Sequence, residues 1–281
     1  MKNKYLRDVC IILVSFRSKK KVKETINSIN KNISVILVEN SMDISLKKQL
    51  EKKYKNVEVI IPKSNNGQGE AFNLAARKAN KKYLLFLDMD IKITTLEIMK
   101  LVKKAIDIKN FGVITPKIRH QNYDKLKIEK KKNQDLYKVW FNTGCVMLVK
   151  KSTMKKVNYF DKRIFLYYEE TDFYKRCINA NLPVFMYDKV MITNPKTYSI
   201  DTKFSHDYIK IRNWHYCWSK FYYYKKHYNY FIGLQKTLPN LIKAIRKIIT
   251  HLLMFRFKEI SYFYAEISGL ISSYLNIKSL I

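Results

Sequence analysis

Short apolar runs alternate with amphipathic segments along the first part of the chain. Apolar runs of this length, rich in β-branched residues, predict buried strands; they lie at 9–15, 33–38, 57–61, 83–87 and 113–115. Apolar residues at helical spacing predict helices at 20–30, 46–54, 69–80 and 96–108. Strands that alternate with helices predict βαβ units, and therefore an α/β fold with a mostly parallel sheet and helices on both faces.

The pattern weakens after this point and then resumes. The lysine-rich stretch 120–138 predicts an exposed loop, a place where acceptors are often held. An apolar segment at 139–150, interrupted at Gly144, predicts a strand with a tight turn, and 164–180 predicts a helix whose first turn is acidic. We therefore expect one large domain at 1–220.

The chain beyond Trp214 is crowded with aromatic and cationic residues, and we treat 221–281 as a helical, basic and aromatic C-terminal extension. A helix over 238–257 would carry cations on one side and apolar residues on the other, a pattern typical of a segment lying in a membrane interface. The apolar side would contain Leu241, Ile245, Ile248, Leu252 and Phe255, and the basic side Lys243, Arg246, Lys247 and Thr250.

The composition restricts the class of partner and the compartment. The chain has 281 residues, 47% of them hydrophobic, and 55 Lys and Arg against 23 Asp and Glu give a net charge of +32. Such an excess predicts an anionic partner: substrate phosphates, nucleic acid or acidic lipid headgroups. The four cysteines are widely spaced, which predicts buried thiols in a reducing cytoplasm. The sequence predicts neither a signal peptide nor a membrane-spanning helix.

Polar residues follow three of the predicted strands. Ser15 and Phe16 follow the first strand, Glu39 and Asn40 the second, and Asp88-Met89-Asp90 the fourth. Ligands of such sheets bind beyond the carboxyl ends of the strands, so one crevice would collect these residues. Two carboxylates one residue apart suit Mg²⁺ or Mn²⁺ bridging to a diphosphate.

Two further segments carry candidate chemistry. Residues 65–73 contain two glycines between a strand and a helix, which would let backbone amides approach a phosphate or would simply shape the turn. Residues 165–172 place three carboxylates behind a run of aromatic residues. An aromatic wall raises the pKa of a carboxyl group and favours a general base, although acidic residues also stabilise a first helical turn.

Together these motifs resemble family 2 glycosyltransferases of the GT-A fold, particularly their rhamnosyltransferase-like branch. The family motif N-x-G-x-G/A-x-A/G-x-N is matched by Asn65, Gly67, Gly69, Ala71 and Asn73, the motif D-x-D by Asp88 and Asp90, and the motif G-x-x-M-L has its glycine at Gly144. A later family run, roughly F-D-x-x-F-x-Y-x-E-D-x-D-x-x-x-R, is matched by Phe160, Asp161, Phe165, Tyr167, Glu169, Asp172 and Arg176. The R-N pair that follows in this branch is matched by Arg212 and Asn213.

The chain departs from the family pattern at three places. Glu39 stands where the nucleotide-binding acid is usually Asp, and Glu170 stands where the catalytic base is usually Asp. The base is therefore open among Glu170, Glu169 and Asp172, and we choose Glu170. No His follows at the usual metal-binding position, so His206 is the nearest candidate for a third metal ligand beside Asp88 and Asp90.

The resemblance implies an inverting, metal-dependent transfer of a sugar to an acceptor hydroxyl of a cell-surface polysaccharide or glycolipid. The donor would be a dTDP- or UDP-sugar, with dTDP-rhamnose the first guess, and the cation Mn²⁺ or Mg²⁺. The acceptor would be a saccharide or lipid-linked, and the enzyme would lie at the inner face of the cell membrane, held to anionic lipids through 221–281. The donor-binding residues would be Ser15, Phe16, Glu39, Asn40, Asn65, Gly67, Gly69, Asn73, Asp88 and Gly144.

Three other functions fit parts of the sequence. A catalytically inactive glycosyltransferase-like binding protein would tolerate the substitutions at 39 and 170. A sugar nucleotidyltransferase shares a related fold but usually has a glycine-rich loop after the first strand, where this chain has Val14-Ser15-Phe16-Arg17. A nucleic-acid-binding protein would explain the charge but not the acidic residues at strand ends, so we expect no nucleic-acid partner. The sequence does not predict an oligomeric state.

Overall fold

The computed structural model describes residues 3–119, 134–194 and 205–279, without the side chains of residues 3, 4, 205 and 206. The chain forms two compact units. The first contains the described residues of 3–65, 70–160 and 170–194, and the second contains 66–69, 161–169 and 205–279. Most of the lysine-rich stretch predicted as a loop, 120–133, lies outside the described residues.

The first unit is built on one sheet. Its described strands are β1 (Val9–Ser15), β2 (Ser34–Glu39), β3 (Val57–Ile60), β4 (Tyr83–Leu87), β5 (Val113–Ile118), β6 (Leu136–Lys138), β7 (Val146–Lys150) and β8 (Val184–Ile192). They lie in the order β3-β2-β1-β4-β7-β5-β8-β6. Neighbours from β3 to β4 are parallel, as are β5 and β8, whereas β7 is antiparallel to β4 and β5, and β6 to β8. The predicted mostly parallel α/β sheet is confirmed.

Helices cover both faces of this sheet. They are α1 (Asn3–Arg7), α2 (Lys19–Ser28), α3 (Ile44–Lys53), α4 (Gly67–Lys78), α5 (Thr95–Asp107), α6 (Lys151–Lys156) and α7 (Glu169–Asn179). The alternation of β1 shows how the two cores form: Val9, Ile11 and Leu13 pack on one face, and Cys10 and Ile12 on the other. Because both faces are covered, the strands are apolar throughout rather than alternating with polar residues.

Three local predictions differ from the structure. The strand expected over 139–150 covers only Val146–Lys150, and residues 136–138 of the expected loop form β6. The helix expected from residue 164 begins at Glu169, because Tyr167 and Tyr168 have φ angles of 65° and 68°, outside the right-handed helical region. The four cysteines are free and buried, as expected.

The second unit contains the helices α8 (Ser205–His227), α9 (Tyr230–Leu253) and α10 (Phe257–Tyr274). Close contacts hold them together: a Cβ on Gly269 of α10 would lie 2.3 Å from the carbonyl oxygen of Trp214 on α8. The hydroxyl groups of Thr237 and Tyr274 lie 3.0 Å apart, joining α9 to α10. The boundary predicted after residue 220 falls within α8. Of the described helices, none is both long and apolar enough to cross a membrane.

Helix α9 has three faces rather than the two predicted. One face packs in the unit through the buried residues Gly233, Thr237 and Ala244, and the predicted apolar residues Leu241 and Ile248 are half-buried beside it. The other two faces are exposed. We call Leu238, Ile242, Ile245, Ile249 and Leu252 the apolar stripe, and Lys243, Arg246 and Lys247 the basic stripe. The predicted apolar face is therefore divided between packing and exposure.

Candidate active site

The D-x-D segment forms a tight turn at the carboxyl end of β4. The amide of Ile91 donates to the carbonyl of Asp88 at 3.1 Å and closes the turn. The side chain of Met89 is buried, and its carbonyl accepts a hydrogen bond of 2.8 Å from the hydroxyl of Thr25 on α2. The two flanking carboxylates are half-buried. Sequence reasoning did not identify Thr25, since nothing in the pattern of α2 marks it.

The carboxyl group of Asp90 lies in a partly desolvated position. Burial raises the pKa of Asp90, while a hydrogen bond from its own backbone amide and the positive charge of Lys21 oppose that shift. A carboxylate that has lost water is stabilised by a cation, so the position suits a divalent ion. Within the described part of the chain, no group of three or more His, Cys, Asp and Glu side chains is arranged to hold a metal. The side chain of His206 lies outside the described residues.

The ends of β1 and β2 are tied together by Glu39. This residue is 2% exposed, and its carboxylate accepts hydrogen bonds from the Ser15 hydroxyl (3.5 Å), the Ser41 amide and hydroxyl (3.2 and 2.7 Å) and the Asp43 amide (2.8 Å). The amide of Asn40 donates to the Ser15 carbonyl at 2.8 Å. Glu39 therefore organises its own loop. Phe16 beside it is half-buried under the guanidinium of Arg17.

Helix α4 begins in the predicted glycine segment. Gly67 has a φ of +82° and lies so close to Phe165 that a Cβ would sit 2.0 Å from the Phe165 carbonyl oxygen. The next amide, of Gln68, donates to the same oxygen at 2.9 Å. Only glycine fits this contact, because it combines a left-handed backbone with the absence of a side chain. Gly69 is buried and Asn65 is half-buried.

The buried side chain of Asn73, also on α4, holds this helix to the backbone of Phe160. Its side-chain amide donates to the Phe160 carbonyl at 3.0 Å and to Glu70 at 2.7 Å, and its oxygen accepts from the Phe160 amide at 2.8 Å. With 1% exposure, this side chain is engaged inside the protein. The geometry explains why an Asn is needed here without requiring contact with a ligand.

The three candidate bases on α7 have different surroundings. Asp172 is fully buried and forms an ion pair of 2.7 Å with Arg176 one turn away. The same guanidinium donates to the carbonyl of Val157. Glu169 is 6% exposed. Glu170 is partly exposed, and burial raises its pKa even though the Thr171 hydroxyl donates to it at 3.2 Å. Glu170 alone of the three is both accessible and partly desolvated.

The bend before β7 joins the D-x-D turn to Glu170. The amide of Asp88 donates to the carbonyl of Cys145 at 3.0 Å. Gly144, the residue before Cys145, lies against Glu170: a Cβ there would sit 2.8 and 2.9 Å from the Cβ and Cγ of Glu170. The D-x-D turn and Glu170 therefore both contact this bend. Sequence reasoning assigned Gly144 to the donor, and its contact with Glu170 was not foreseen.

Tyr174 is a second neighbour of this site that the sequence did not reveal. It lies one turn after Glu170, and among the described residues its hydroxyl has no hydrogen-bond partner. Burial raises the pKa of Tyr174 well above its usual value, and the negative charges of Glu170 and Asp88 contribute to the shift. The phenol therefore stays neutral and is a hydrogen-bond donor.

The chain matches a protein-family model over more than half of its length. The family model described as Glycosyl transferase family 2 matches residues 10–172. Among curated proteins, the chain is 22% identical over 200 residues to the low-salt glycan biosynthesis hexosyltransferase Agl10 of Haloferax volcanii. This match covers 64% of the chain and spans 64% of that relative's length.

Comparison with solved structures shows the same fold. Mannosyltransferase PcManGT from Pyrobaculum calidifontis, in complex with GDP-Man and Mn²⁺, has a TM-score of 0.60 at 13% identity over 96% of this chain and 88% of that one. TarS residues 1–349 of S. aureus, in complex with UDP, has a TM-score of 0.54 at 16% identity over 94% of this chain and 90% of that one. The architecture is the GT-A fold.

Proposed function

The chain belongs to glycosyl transferase family 2, and we propose that it catalyses an inverting, metal-dependent transfer of a sugar from a nucleotide-sugar to an acceptor hydroxyl. One observation carries this proposal: the series of contacts from the D-x-D turn to Glu170. The amide of Asp88 bonds to Cys145, and Gly144 beside it lies against Glu170. A cation-binding turn and an accessible carboxylate at one bend are the two elements that such a transfer needs.

Glu170 is the general base in this proposal. A base must lose its own proton and reach the acceptor hydroxyl, within about 3 Å in a reactive complex. The carboxylate of Asp172 forms an ion pair with Arg176, and Glu169 is more deeply buried than Glu170. Partial desolvation of Glu170 raises its pKa toward neutrality, which strengthens it as a base once it is ionised. Asp172 then stabilises the first part of α7 through its ion pair with Arg176.

The reaction is a single displacement. The acceptor oxygen attacks the anomeric carbon and forms the new glycosidic bond, while its proton passes to the carboxylate of Glu170. The bond between the anomeric carbon and the diphosphate oxygen breaks, and its electron pair leaves with the nucleoside diphosphate. Attack from the face opposite the leaving group inverts the configuration at that carbon. The leaving group departs as an anion, so one base suffices where glycoside hydrolysis needs two carboxylates.

The carboxylates of the D-x-D turn fit a hard divalent cation. Asp88 and Asp90 supply oxygen ligands, and burial of Asp90 leaves its charge in need of a partner. Mn²⁺ or Mg²⁺ bound there would offset the charge that develops on the leaving diphosphate. The relative PcManGT was solved with Mn²⁺, which supports testing this ion first.

We propose that the donor lies along the ends of β1, β2 and β4. Ser15, Phe16, Asn40 and Asn65 would line it, and the loop organised by Glu39 would hold the nucleotide. We propose a UDP- or dTDP-sugar as donor, with dTDP-rhamnose first. The acceptor would be a hydroxyl of a cell-surface polysaccharide or a glycolipid.

A donor panel tests this function. UDP-, dTDP- and GDP-sugars are compared by thermal shift with and without Mn²⁺, and release of the nucleoside diphosphate is followed for each. The proposal expects a metal-dependent shift with one nucleotide class, and slow metal-dependent hydrolysis without acceptor. Binding without hydrolysis would favour an inactive glycosyltransferase-like protein, and absence of binding would overturn the proposal.

The second unit supports a further part of the proposal, association with an anionic membrane at the inner face of the cell membrane. The α9–α10 connection, residues 253–257, is the hairpin tip, where Leu253, Phe255 and Phe257 are 77%, 79% and 63% exposed. Phe255 has a φ of 55°, a left-handed conformation in which the turn presents this ring outward. Exposed apolar patches of this kind mark membrane or protein contacts.

The charge around the tip favours an anionic partner. The apolar stripe of α9 runs to the tip, and the basic stripe lies beside it on the same helix. An amphipathic helix with lysine and arginine next to its apolar side lies in the headgroup region of anionic bilayers, with the apolar residues among the acyl chains. The tip and the two stripes therefore constitute the proposed membrane contact, which would bring the enzyme to lipid-linked acceptors.

A further inference from the structure

The segment before α7 is held in an unusual backbone conformation. Tyr167 and Tyr168 are consecutive residues with φ angles of 65° and 68°. Left-handed backbone costs conformational free energy for a residue with a side chain, and two in succession require the surroundings to hold them. Such strain concentrates at binding and catalytic sites, where it fixes side chains in directions that a relaxed loop would not give.

Contacts with α8 hold this segment. The hydroxyl of Ser219 donates to the carbonyl of Leu166 at 2.9 Å, and the ring of Phe165 stacks on His215 with centroids 4.4 Å apart. At the start of the segment, Asp161 accepts hydrogen bonds from Tyr222 and Lys226 of α8 at 2.8 and 2.7 Å. Residues 161–166 are therefore anchored to one helix, and the two tyrosines directly follow this anchored part of the segment.

Three aromatic rings gather at this place. Tyr167 and Tyr168 lie with their ring centroids 5.7 and 5.8 Å from that of Tyr216, and Tyr168 lies 5.4 Å from Tyr223 beneath them. Tyr223 is buried, whereas Tyr216 is 41% exposed and the other two are partly exposed. We call Tyr167, Tyr168 and Tyr216 the tyrosine ledge.

The ledge also carries a polar edge. The Nε of Arg212 donates to the hydroxyl of Tyr167, and its guanidinium lies 5.3 Å from the centre of the same ring. Flat apolar faces next to phenol and guanidinium groups match a pyranose ring, whose C–H face is apolar and whose rim carries hydroxyl groups.

We propose that the tyrosine ledge binds the acceptor sugar, which is a pyranose. This inference rests on the proposed transferase function and adds a site and a substrate class to it. Tyr168 precedes Glu170 by two residues, so the chain holds their Cα atoms within about 7 Å of each other. Two of the three tyrosines of the ledge therefore come just before the proposed base in the chain.

Saturation-transfer NMR with simple glycosides tests the ledge. The probes are methyl α- and β-pyranosides of glucose, galactose, mannose and rhamnose, added to full-length protein with Mn²⁺ and UDP, dTDP or GDP. We expect at least one to bind, and Tyr216→Ala to weaken it about three- to tenfold, as for loss of one stacking partner. Tyr216→Phe, which keeps the ring, should retain binding. The matched control is Tyr264→Ala, which removes a 67% exposed tyrosine from the middle of α10.

The outcomes separate this proposal from the transferase function. The ledge is supported if nucleotide binding is equal in all variants and glycoside binding is weakened only in Tyr216→Ala. Absence of glycoside binding, or equal binding in Tyr216→Ala and Tyr264→Ala, overturns the ledge and leaves the transferase function standing. Glycoside binding without any nucleotide-induced thermal shift contradicts the transferase function instead, and the ledge would then be a sugar-binding site alone.

Discussion

Gly144 lies against the side chain of Glu170 with no room for a methyl group between them. A Cβ at position 144 would approach the Cβ of Glu170 to 2.8 Å and its Cγ to 2.9 Å, closer than packed carbon atoms normally lie. The position of the proposed base is therefore set by the absence of a side chain on the opposite loop. The same loop bonds the D-x-D turn through Cys145 and Asp88.

Replacing Gly144 by alanine should displace Glu170. We expect turnover to fall about 100-fold, the usual effect of misplacing a reacting group by about an ångström, with the donor KM little changed. Overpacking should also lower the free energy of unfolding by about 1–3 kcal/mol. Initial rates and urea denaturation of Gly144→Ala measure the two effects.

A double mutant isolates the cause of that loss. In a Glu170→Ala background the added methyl group has space, so Gly144→Ala should destabilise the protein much less than it does in the wild type. An equal loss of stability in both backgrounds would mean that the alanine clashes elsewhere, and would contradict the assigned role of Gly144.

The ion pair of Asp172 and Arg176 should be structural. Because Asp172 is fully buried, Asp172→Asn leaves a buried guanidinium without its charge partner, and we expect the free energy of unfolding to drop by about 3–5 kcal/mol. Asp207→Asn is the matched control, since Asp207 forms a comparable helical pair with Lys210 at 2.9 Å but is 80% exposed, and should change stability by less than about 1 kcal/mol. Similar urea midpoints for the two variants would argue against this assignment.

Activity should depend on the ionisation of Glu170. Burial raises its pKa above the usual 4.5, and only the ionised form accepts a proton, so kcat/KM should fall as pH falls through this raised pKa. Stability should change in the opposite direction. The contribution of neutral Glu170 is complete below pH 4.5 and is lost as pH rises through the folded-state pKa.

Glu170→Gln serves as the control for the stability profile, because it removes the titrating group and keeps the shape. Relative to the wild type, this variant should gain stability as pH rises from 4.5 through the raised pKa, and the difference should stay constant above it. Parallel stability curves for the two proteins across this range would show that the pKa of Glu170 is unchanged on folding.

The hairpin tip should bind anionic vesicles. Phe255→Ser removes one large apolar side chain from the proposed contact and should weaken sedimentation with phosphatidylglycerol-containing liposomes about tenfold. Higher salt should weaken binding further, since the basic stripe is exposed. Leu96→Ser, a 60% exposed apolar residue of α5, is the control and should have no effect. Equal binding of both variants, or equal binding to neutral vesicles, would refute the membrane contact.

The sequence predicted those parts of the structure that depend on local pattern. Strand β4 is uniformly apolar and is followed directly by Asp88-Met89-Asp90, so both the strand and the position of the turn could be predicted. The antiparallel pairing of β7 and the formation of the short strand β6 depend on contacts with distant strands, which periodicity does not reveal. The start of α7 was predicted wrongly, because tyrosine at positions 167 and 168 does not indicate positive φ angles.

The candidate site shows the same division. Acidic residues at strand ends are visible in the sequence, but what each one contacts is not. Glu39 was expected to reach the nucleotide, whereas its carboxylate is engaged by Ser15, Ser41 and Asp43 of its own loop. Its predicted contact with a donor stays a prediction. The choice among the three acids of α7 depended on burial, which the sequence does not contain.

The most direct test of the account is Glu170→Gln, examined for donor binding and for turnover in the same preparation. The account predicts that the metal-dependent thermal shift with the donor survives, while release of the nucleoside diphosphate slows by about 10²–10⁴-fold, as for loss of a general base. Near-normal turnover in this variant would contradict the central claim, because the carboxylate beside Gly144 would then take no part in the chemistry.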